Sequence, residues 1–199
     1  MPSRDYLTSK LLIAMPNMGD PRFERSVVLI CSHDDDHAMG VIVNKPLDDL
    51  DKEELLEDLG VMENDPSPDW TVYFGGPVHT GRGLVIHSLD YELSSTIRIG
   101  QNLGLTVSKQ ILIDAAKQDP GSPGPSSFML AIGSAGWGPG QLEAEIAANS
   151  WAHCDARSDI IFDLDNDAAW RKAFGEIGVT GAQFSAAWST ARDGNAYLN

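Results

Sequence analysis

Trp137, Gln141, Glu145, Asn149 and Trp151 fall in one short stretch and carry side chains that could act together. Gln141, Glu145 and Asn149 recur at i, i+4 and i+8, the spacing that stacks side chains along one face of a helix. A carboxylate and two amides on such a stripe, bracketed by two indoles, can grip a ligand or a partner through hydrogen bonds and apolar contact. The same stripe also suits a helix face turned to water. An anion site at the start of this helix is disfavoured, because Glu143 and Glu145 already complement its dipole. These five residues are therefore the candidate surface for a protein partner or a small ligand.

Other reactive groups are sparser. His33-Asp34-Asp35-Asp36-His37 could offer mixed imidazole and carboxylate ligands to a metal. It falls at the expected tip of a hairpin, however, where neighbouring carboxylates point apart, so a solvated turn is the favoured reading and no metal site is assigned. Cys154 follows His153, and an adjacent imidazolium can lower a thiol pKa, but neighbours on a strand point to opposite faces. Cys31 closes an apolar run and reads as core. Gly76-Pro77-Val78-His79-Thr80-Gly81-Arg82 has the glycine spacing of a phosphate loop but lacks its Lys-Ser/Thr end, and a strand follows instead of a helix. The chain has no Gly-x-Ser-x-Gly elbow, no His-Glu-x-x-His and no dinucleotide fingerprint, so no catalytic residue and no cofactor are assigned.

Elements that position these groups are legible from periodicity. Apolar runs at 11–15, 27–31 and 40–44 read as strands, the last two forming an antiparallel hairpin. Residues 51–59 read as a helix capped by Asp51. Residues 70–74 are a strand, and 83–87 and 94–99 are expected to pair as a second hairpin. Ser108 caps a helix over 109–117 that turns Ile111, Leu112, Ala115 and Ala116 inward. The strand at 128–132 leads into a glycine-rich loop, 133–140, and then the helix 141–149. Residues 160–162 read as a short strand. A helix at 166–177 turns Trp170, Ala173, Phe174 and Ile177 inward, with Gly178 as its stop, and 182–191 is expected to be helical. Strands and helices intermix and several strand neighbours are hairpins, which favours α+β over a doubly wound parallel sheet.

With 199 residues, 42% hydrophobic and 22% charged, the chain can bury a substantial core and reads as a single domain, 1–199. Its net charge of −15 disfavours contact with nucleic acid or anionic lipid, since such contacts need Lys and Arg to neutralise phosphates. Residues 166–191 loosely imitate a helix-turn-helix, but Arg171, Lys172 and Arg192 are too few for a phosphate-contacting face. The two cysteines cannot make a disulfide framework, and no segment has the length of a membrane span or a signal core. The expectation is a cytoplasmic protein with reduced thiols and no direct membrane or nucleic-acid partner. Nothing in the sequence bears on its oligomeric state.

Three blocks of residues add a resemblance. The first is Leu12-Ile13-Ala14-Met15-Pro16, Asp20-Pro21-Arg22-Phe23-Glu24-Arg25-Ser26 and Met39-Gly40-Val41-Ile42-Val43-Asn44-Lys45-Pro46. The second is Phe74-Gly75-Gly76-Pro77-Val78 with Arg82-Gly83-Leu84-Val85-Ile86-His87. The third is Ala135-Gly136-Trp137-Gly138, Gly140-Gln141-Leu142-Glu143 and Glu145-Ile146, with Asn149 and Trp151. In order and across nearly the whole chain they resemble the YqgE/AlgH family of bacterial proteins, and Trp170, Ala173, Ile177 and Gly178 fit its closing helix. The chain departs from the family at Ser134, where an aromatic residue is more usual, a change that bears on the shape of any pocket beside the loop. The resemblance implies a single α+β domain, a mixed, largely antiparallel branched or barrel-like β-sheet surrounded by helices. It implies a regulatory label, carried chiefly by the alginate-linked member, and no established catalytic residues. The leading expectation is a non-enzymatic binding or regulatory protein. The alternatives are an enzyme with an acid–base site near Trp137, Glu145 and Asn149, and a direct transcriptional regulator.

Overall fold

A computed structural model describes residues 6–48, 50, 51, 54, 70–116, 123–163 and 166–179. The helix expected at 182–191, and that at 51–59 apart from Asp51 and Glu54, lie outside these residues; the Glu54 N–H donates to Asp51 Oδ1 at 3.1 Å. The strands are β1 (Lys10–Ala14), β2 (Val27–His33), β3 (Ala38–Ile42), β4 (Val72–Phe74), β5 (Val78–Ser88), β6 (Ile97–Ile99), β7 (Leu103–Thr106), β8 (Phe128–Trp137) and β9 (Trp151–Asp155). The helices are α1 (Gln110–Ala116), α2 (Gln141–Ala147), α3 (Ser158–Ile161) and α4 (Asn166–Glu176). The strands form one curled, largely antiparallel sheet in the order β6-β7-β5-β8-β3-β2-β1-β9, and the fold is α+β as expected.

β1, β2 and β3 are apolar at almost every position because both of their faces are covered. Leu11 and Ile13 of β1, with Val27, Leu29 and Val41, pack on one face with Trp170, Ala173 and Phe174 of α4. Leu12 and Ala14, with Val28, Ile30 and Ile42, pack on the other face with Trp137, Leu142 and Trp151. The period-2 alternation of side chains thus divides one continuous apolar run between two cores. Each fully buried Leu, Ile or Val adds roughly 1.5–3 kcal/mol of apolar transfer free energy. The α4 helix is pinned from the far side by the Trp170 Nε1–H, which donates to the Ala14 carbonyl at 2.8 Å.

The sheet forks at β8. Leu130, Ala131 and Ile132 pair with β5 and also, in parallel, with β4, whereas Ala135, Gly136 and Trp137 pair with β3. β4 wedges into the fork: the Gly75 N–H donates to the Ile132 carbonyl at 2.8 Å, and the Ile42 N–H donates to the Gly75 carbonyl at 2.8 Å. The expected glycine-rich loop at 133–140 is therefore mostly strand, and β8 runs through to Trp137. The glycines serve close approach of backbones. A Cβ on Gly133, whose φ is +81°, would lie 2.4 Å from the Gly76 carbonyl oxygen, and one on Gly76 would lie 2.3 Å from the backbone of Ser134.

Three further expectations need correction. Residues 97–99 pair with β7, not with β5, because the short connection at 100–102 makes β6 and β7 the hairpin and β7 then pairs with β5. Residues 160–162 are not a strand: a single helical turn begins at Ser158, and the Phe162 N–H donates to the Ser158 carbonyl at 2.8 Å. A short apolar run cannot separate the two by periodicity, and the preceding Ser-Asp was the usable signal. Ile177 is 37% exposed rather than inward, because α4 ends at Glu176 and Gly178 (φ +79°) turns the chain out of helical phase.

A candidate binding cleft at Glu145

The α2 helix begins directly after β8, and β9 follows it within three residues, so Trp137 and Trp151 end up on strands flanking the helix that carries Glu145. Both indoles are almost fully buried, at 5% and 3% exposure, and meet edge to face with centroids 6.1 Å apart. Buried indole N–H groups need acceptors. Both find the same one: Trp137 Nε1 donates to Glu145 Oε2 at 2.9 Å and Trp151 Nε1 donates to that oxygen at 2.8 Å. Gln141 Nε2 donates to the other oxygen, Oε1, at 2.8 Å, and the Gly138 N–H donates to Gln141 Oε1 at 3.1 Å. The carboxylate is thus fixed by three charge-assisted bonds from two strands and its own helix.

This carboxylate lines a cavity of about 420 Å³. Its remaining walls come from elsewhere in the chain: Met18, Asp20, Arg22 and Phe23 from the segment after β1, and Pro77 and Val78 from the start of β5. Phe23 packs edge to face on Trp151 at 5.5 Å. Arg22 forks onto Asp20, with Nη2 to Oδ2 at 2.6 Å and Nε to Oδ1 at 3.0 Å, and its guanidinium holds the Asp20 carboxyl below the usual carboxylate range. His79, beside this wall, has φ +53°, a backbone conformation that costs energy in a non-glycine residue.

Four of the five expected residues therefore converge: Trp137, Gln141, Glu145 and Trp151. Asn149 does not. It lies past the end of α2 at φ +58°, exposed, where asparagine tolerates the left-handed turn that ends the helix. Residues 18–23 and 77–78 of the cleft carried no helical or strand periodicity. The signal that pointed to them was the block structure of the resemblance, whose three blocks meet here. Ser134 is not a lining residue. It is buried, with its hydroxyl 3.5 Å from His79 Nδ1.

The remaining candidates are placed apart from one another. In the 33–37 turn, Asp34 Oδ1 accepts the Asp36 and His37 N–H groups, each at 2.9 Å, and lies 3.0 Å from the His37 ring. The His33 ring is buried instead: Nδ1 accepts the Leu7 N–H at 3.0 Å, so Nε2 carries the proton and donates to Glu143 at 3.1 Å. A second, wider cleft near Lys45 holds the ion pair of Arg25 with Asp167 at 2.6 Å, and Lys45 Nζ donates to the Arg22 carbonyl at 2.8 Å. On α4, Arg171 faces Asp167 at 3.8 Å and Lys172 pairs with Asp159 at 2.6 Å.

Burial pushes the Cys31 thiol up to about 12, and burial, then Glu176 and Asp155, push Cys154 up to about 11. Neither thiol resembles an activated nucleophile, because the reactive species is the thiolate. In the folded protein at pH 8, both are expected to alkylate with iodoacetamide at least about a hundredfold more slowly than a free cysteine, Cys31 the slower of the two. Peptide mass mapping would measure this, with guanidinium restoring ordinary rates. Fast labelling of Cys154 in the native state would contradict the placement of β9.

A family model described as AlgH-like matches residues 11–182. The chain is 46% identical over 185 residues to a UPF0301 protein of Bradyrhizobium diazoefficiens, covering 89% of this chain and 85% of that protein. It is 43% identical to a UPF0301 protein of Paracoccus denitrificans, covering 90% and 94%. The solution structure of the AlgH protein from Pseudomonas aeruginosa is 35% identical and superposes with a TM-score of 0.76, covering 94% of this chain and 96% of that one. A crystal structure from Corynebacterium diphtheriae, 22% identical with a TM-score of 0.62, shares the fold. Among the described residues, no helix is long and apolar enough to cross a membrane.

Proposed function

Because the chain belongs to the AlgH-like family, we propose that it works by binding rather than by catalysis, engaging a protein partner or a small ligand at the cleft built around Glu145. The observation that carries this reading is the convergence of Trp137, Gln141, Glu145 and Trp151 on a cavity large enough for a side chain or a metabolite fragment. Three N–H donors hold the carboxylate, which gives recognition a fixed anchor. Of the two carboxylates in the lining, Glu145 already accepts three N–H bonds and Asp20 is forked by Arg22, roles that favour holding a ligand over moving a proton. Among the described lining residues there is no His or Cys, and Ser150 is the one hydroxyl.

The enzyme reading near Trp137, Glu145 and Asn149 is weakened by the position of Asn149 outside the cleft. Direct action on DNA is weakened by the pairing of Arg171 and Lys172 with carboxylates, added to the net charge of −15.

The test compares wild type with Val78→Glu, a substitution at a 38% exposed position on the cleft rim. Affinity capture from native lysate is combined with thermal shift against a metabolite panel. A protein or metabolite bound by wild type and lost in Val78→Glu supports the reading, and a ligand at 100 times its Kd adds about 2.7 kcal/mol to wild-type stability. Equal retention of every binder by both proteins would exclude this cleft.

A further inference from the structure

We propose, building on the binding reading above, that the cleft recognises a primary alkylammonium group, supplied either by a lysine side chain of a partner or by a free aliphatic amine. The ionisable lining residues are Asp20, Arg22 and Glu145, one cation against two anions. Arg22 is committed to Asp20 through both its Nε and its Nη2. The charge left facing the cavity is therefore that of Glu145.

The lone pairs of Glu145 decide the shape of the cation. Each carboxylate oxygen offers two acceptor positions. The two indoles fill both positions on Oε2, and Gln141 fills one on Oε1. One acceptor position remains, on a single oxygen. A guanidinium gains its advantage by forking across both oxygens of a carboxylate, and that geometry is blocked here. An ammonium acts as a compact point charge and needs only one oxygen. Behind the charge, Met18, Phe23 and Val78 provide an apolar wall along which a methylene stem can lie. The strongly acidic chain draws cations toward the site from solution.

The test titrates folded protein with 1-butylammonium, 1-butylguanidinium, butyrate and 1-butanol, followed by the NMR resonances of the Trp137 and Trp151 indole N–H groups. Both groups report directly on Glu145 Oε2. The expected result is saturable shifts with butylammonium, at least threefold weaker binding of butylguanidinium, and no saturation with butyrate or butanol. Cadaverine and an N-acetylated lysine peptide then distinguish the two sources, the tighter of them identifying the natural one. Glu145→Gln is expected to weaken butylammonium binding at least tenfold. Arg22→Ala is expected to tighten it several-fold, because it frees the Asp20 carboxylate while leaving intact the Asp20 side-chain bond to the backbone N–H at position 22.

Arg22 is largely exposed, so its variant tests the sign of the effect even if Glu145→Gln fails to fold. Tighter binding of butyrate, or weaker ammonium binding by Arg22→Ala, overturns the ammonium inference and leaves the cleft as a binding site of another class. No saturation by any amine also overturns it, while the capture experiment with Val78→Glu still decides whether the cleft binds at all.

Discussion

Gly133→Ala is expected to lose about 4 kcal/mol of stability, combining a positive-φ cost of about 1 kcal/mol with backbone overpacking at the upper end of 1–3 kcal/mol. The residue sits at φ +81°, and an added Cβ would meet the Gly76 carbonyl oxygen at 2.4 Å and the Val78 carbonyl oxygen at 3.0 Å. Both obstacles are backbone, held by pairing on either side of the fork, so neither can yield as a flexible side chain would. A typical domain holds only about 5–15 kcal/mol in all, so the variant approaches the folding threshold. Gly136→Ala is the matched control, three residues along the same strand. Its Cβ would meet no atom within 4 Å, and it is expected to stay within about 0.5 kcal/mol of wild type. Urea unfolding of the pair measures the difference. Equal midpoints would mean that the 76–78 segment does not press against Gly133 of β8 as described.

The second large effect is at Glu145. Glu145→Ala removes the shared acceptor of two buried indoles, and each unsatisfied buried donor costs about 1–3 kcal/mol, for a total of about 3 kcal/mol. Glu145→Gln keeps an amide oxygen for the indoles and is expected to lose about 1 kcal/mol, the difference between charge-assisted and neutral bonds. Gln141→Ala, at an exposed position, is expected to cost less than about 1 kcal/mol. Denaturant midpoints and the indole N–H resonances together test this order. If Glu145→Ala is as stable as Gln141→Ala, the carboxylate is not what joins the two strands to the helix.

The sequence made some of this legible and hid the rest for definite reasons. Unbroken apolar runs placed β1, β2 and β3 well, since strands buried on both faces advertise themselves by composition. The i, i+4 spacing from Gln141 to Glu145 identified the heart of the cleft. What it could not say was that Trp137 and Trp151, 14 positions apart, aim their N–H groups at one oxygen, because that depends on β9 pairing back onto β1. The glycine-rich stretch misled in an instructive way. Its residues read as turn formers, but at Gly133 the freedom is used for contact between strands. The opposite cleft wall, at Asp20, Arg22 and Phe23, is a single 3₁₀ turn over Pro21–Phe23 capped by Asp20, too short for a period to be read.

Ala14 gives the sheet an unexpected property. Its Cα partner in the β1–β9 ladder is Trp151, at the back of the cleft, while its carbonyl accepts the indole of Trp170 on the opposite face. One residue of backbone is thus common to the two apolar clusters that lie on opposite faces of β1. A displacement of the Ala14 carbonyl would therefore also displace the residue paired with Trp151, so the two faces are tied at one backbone position.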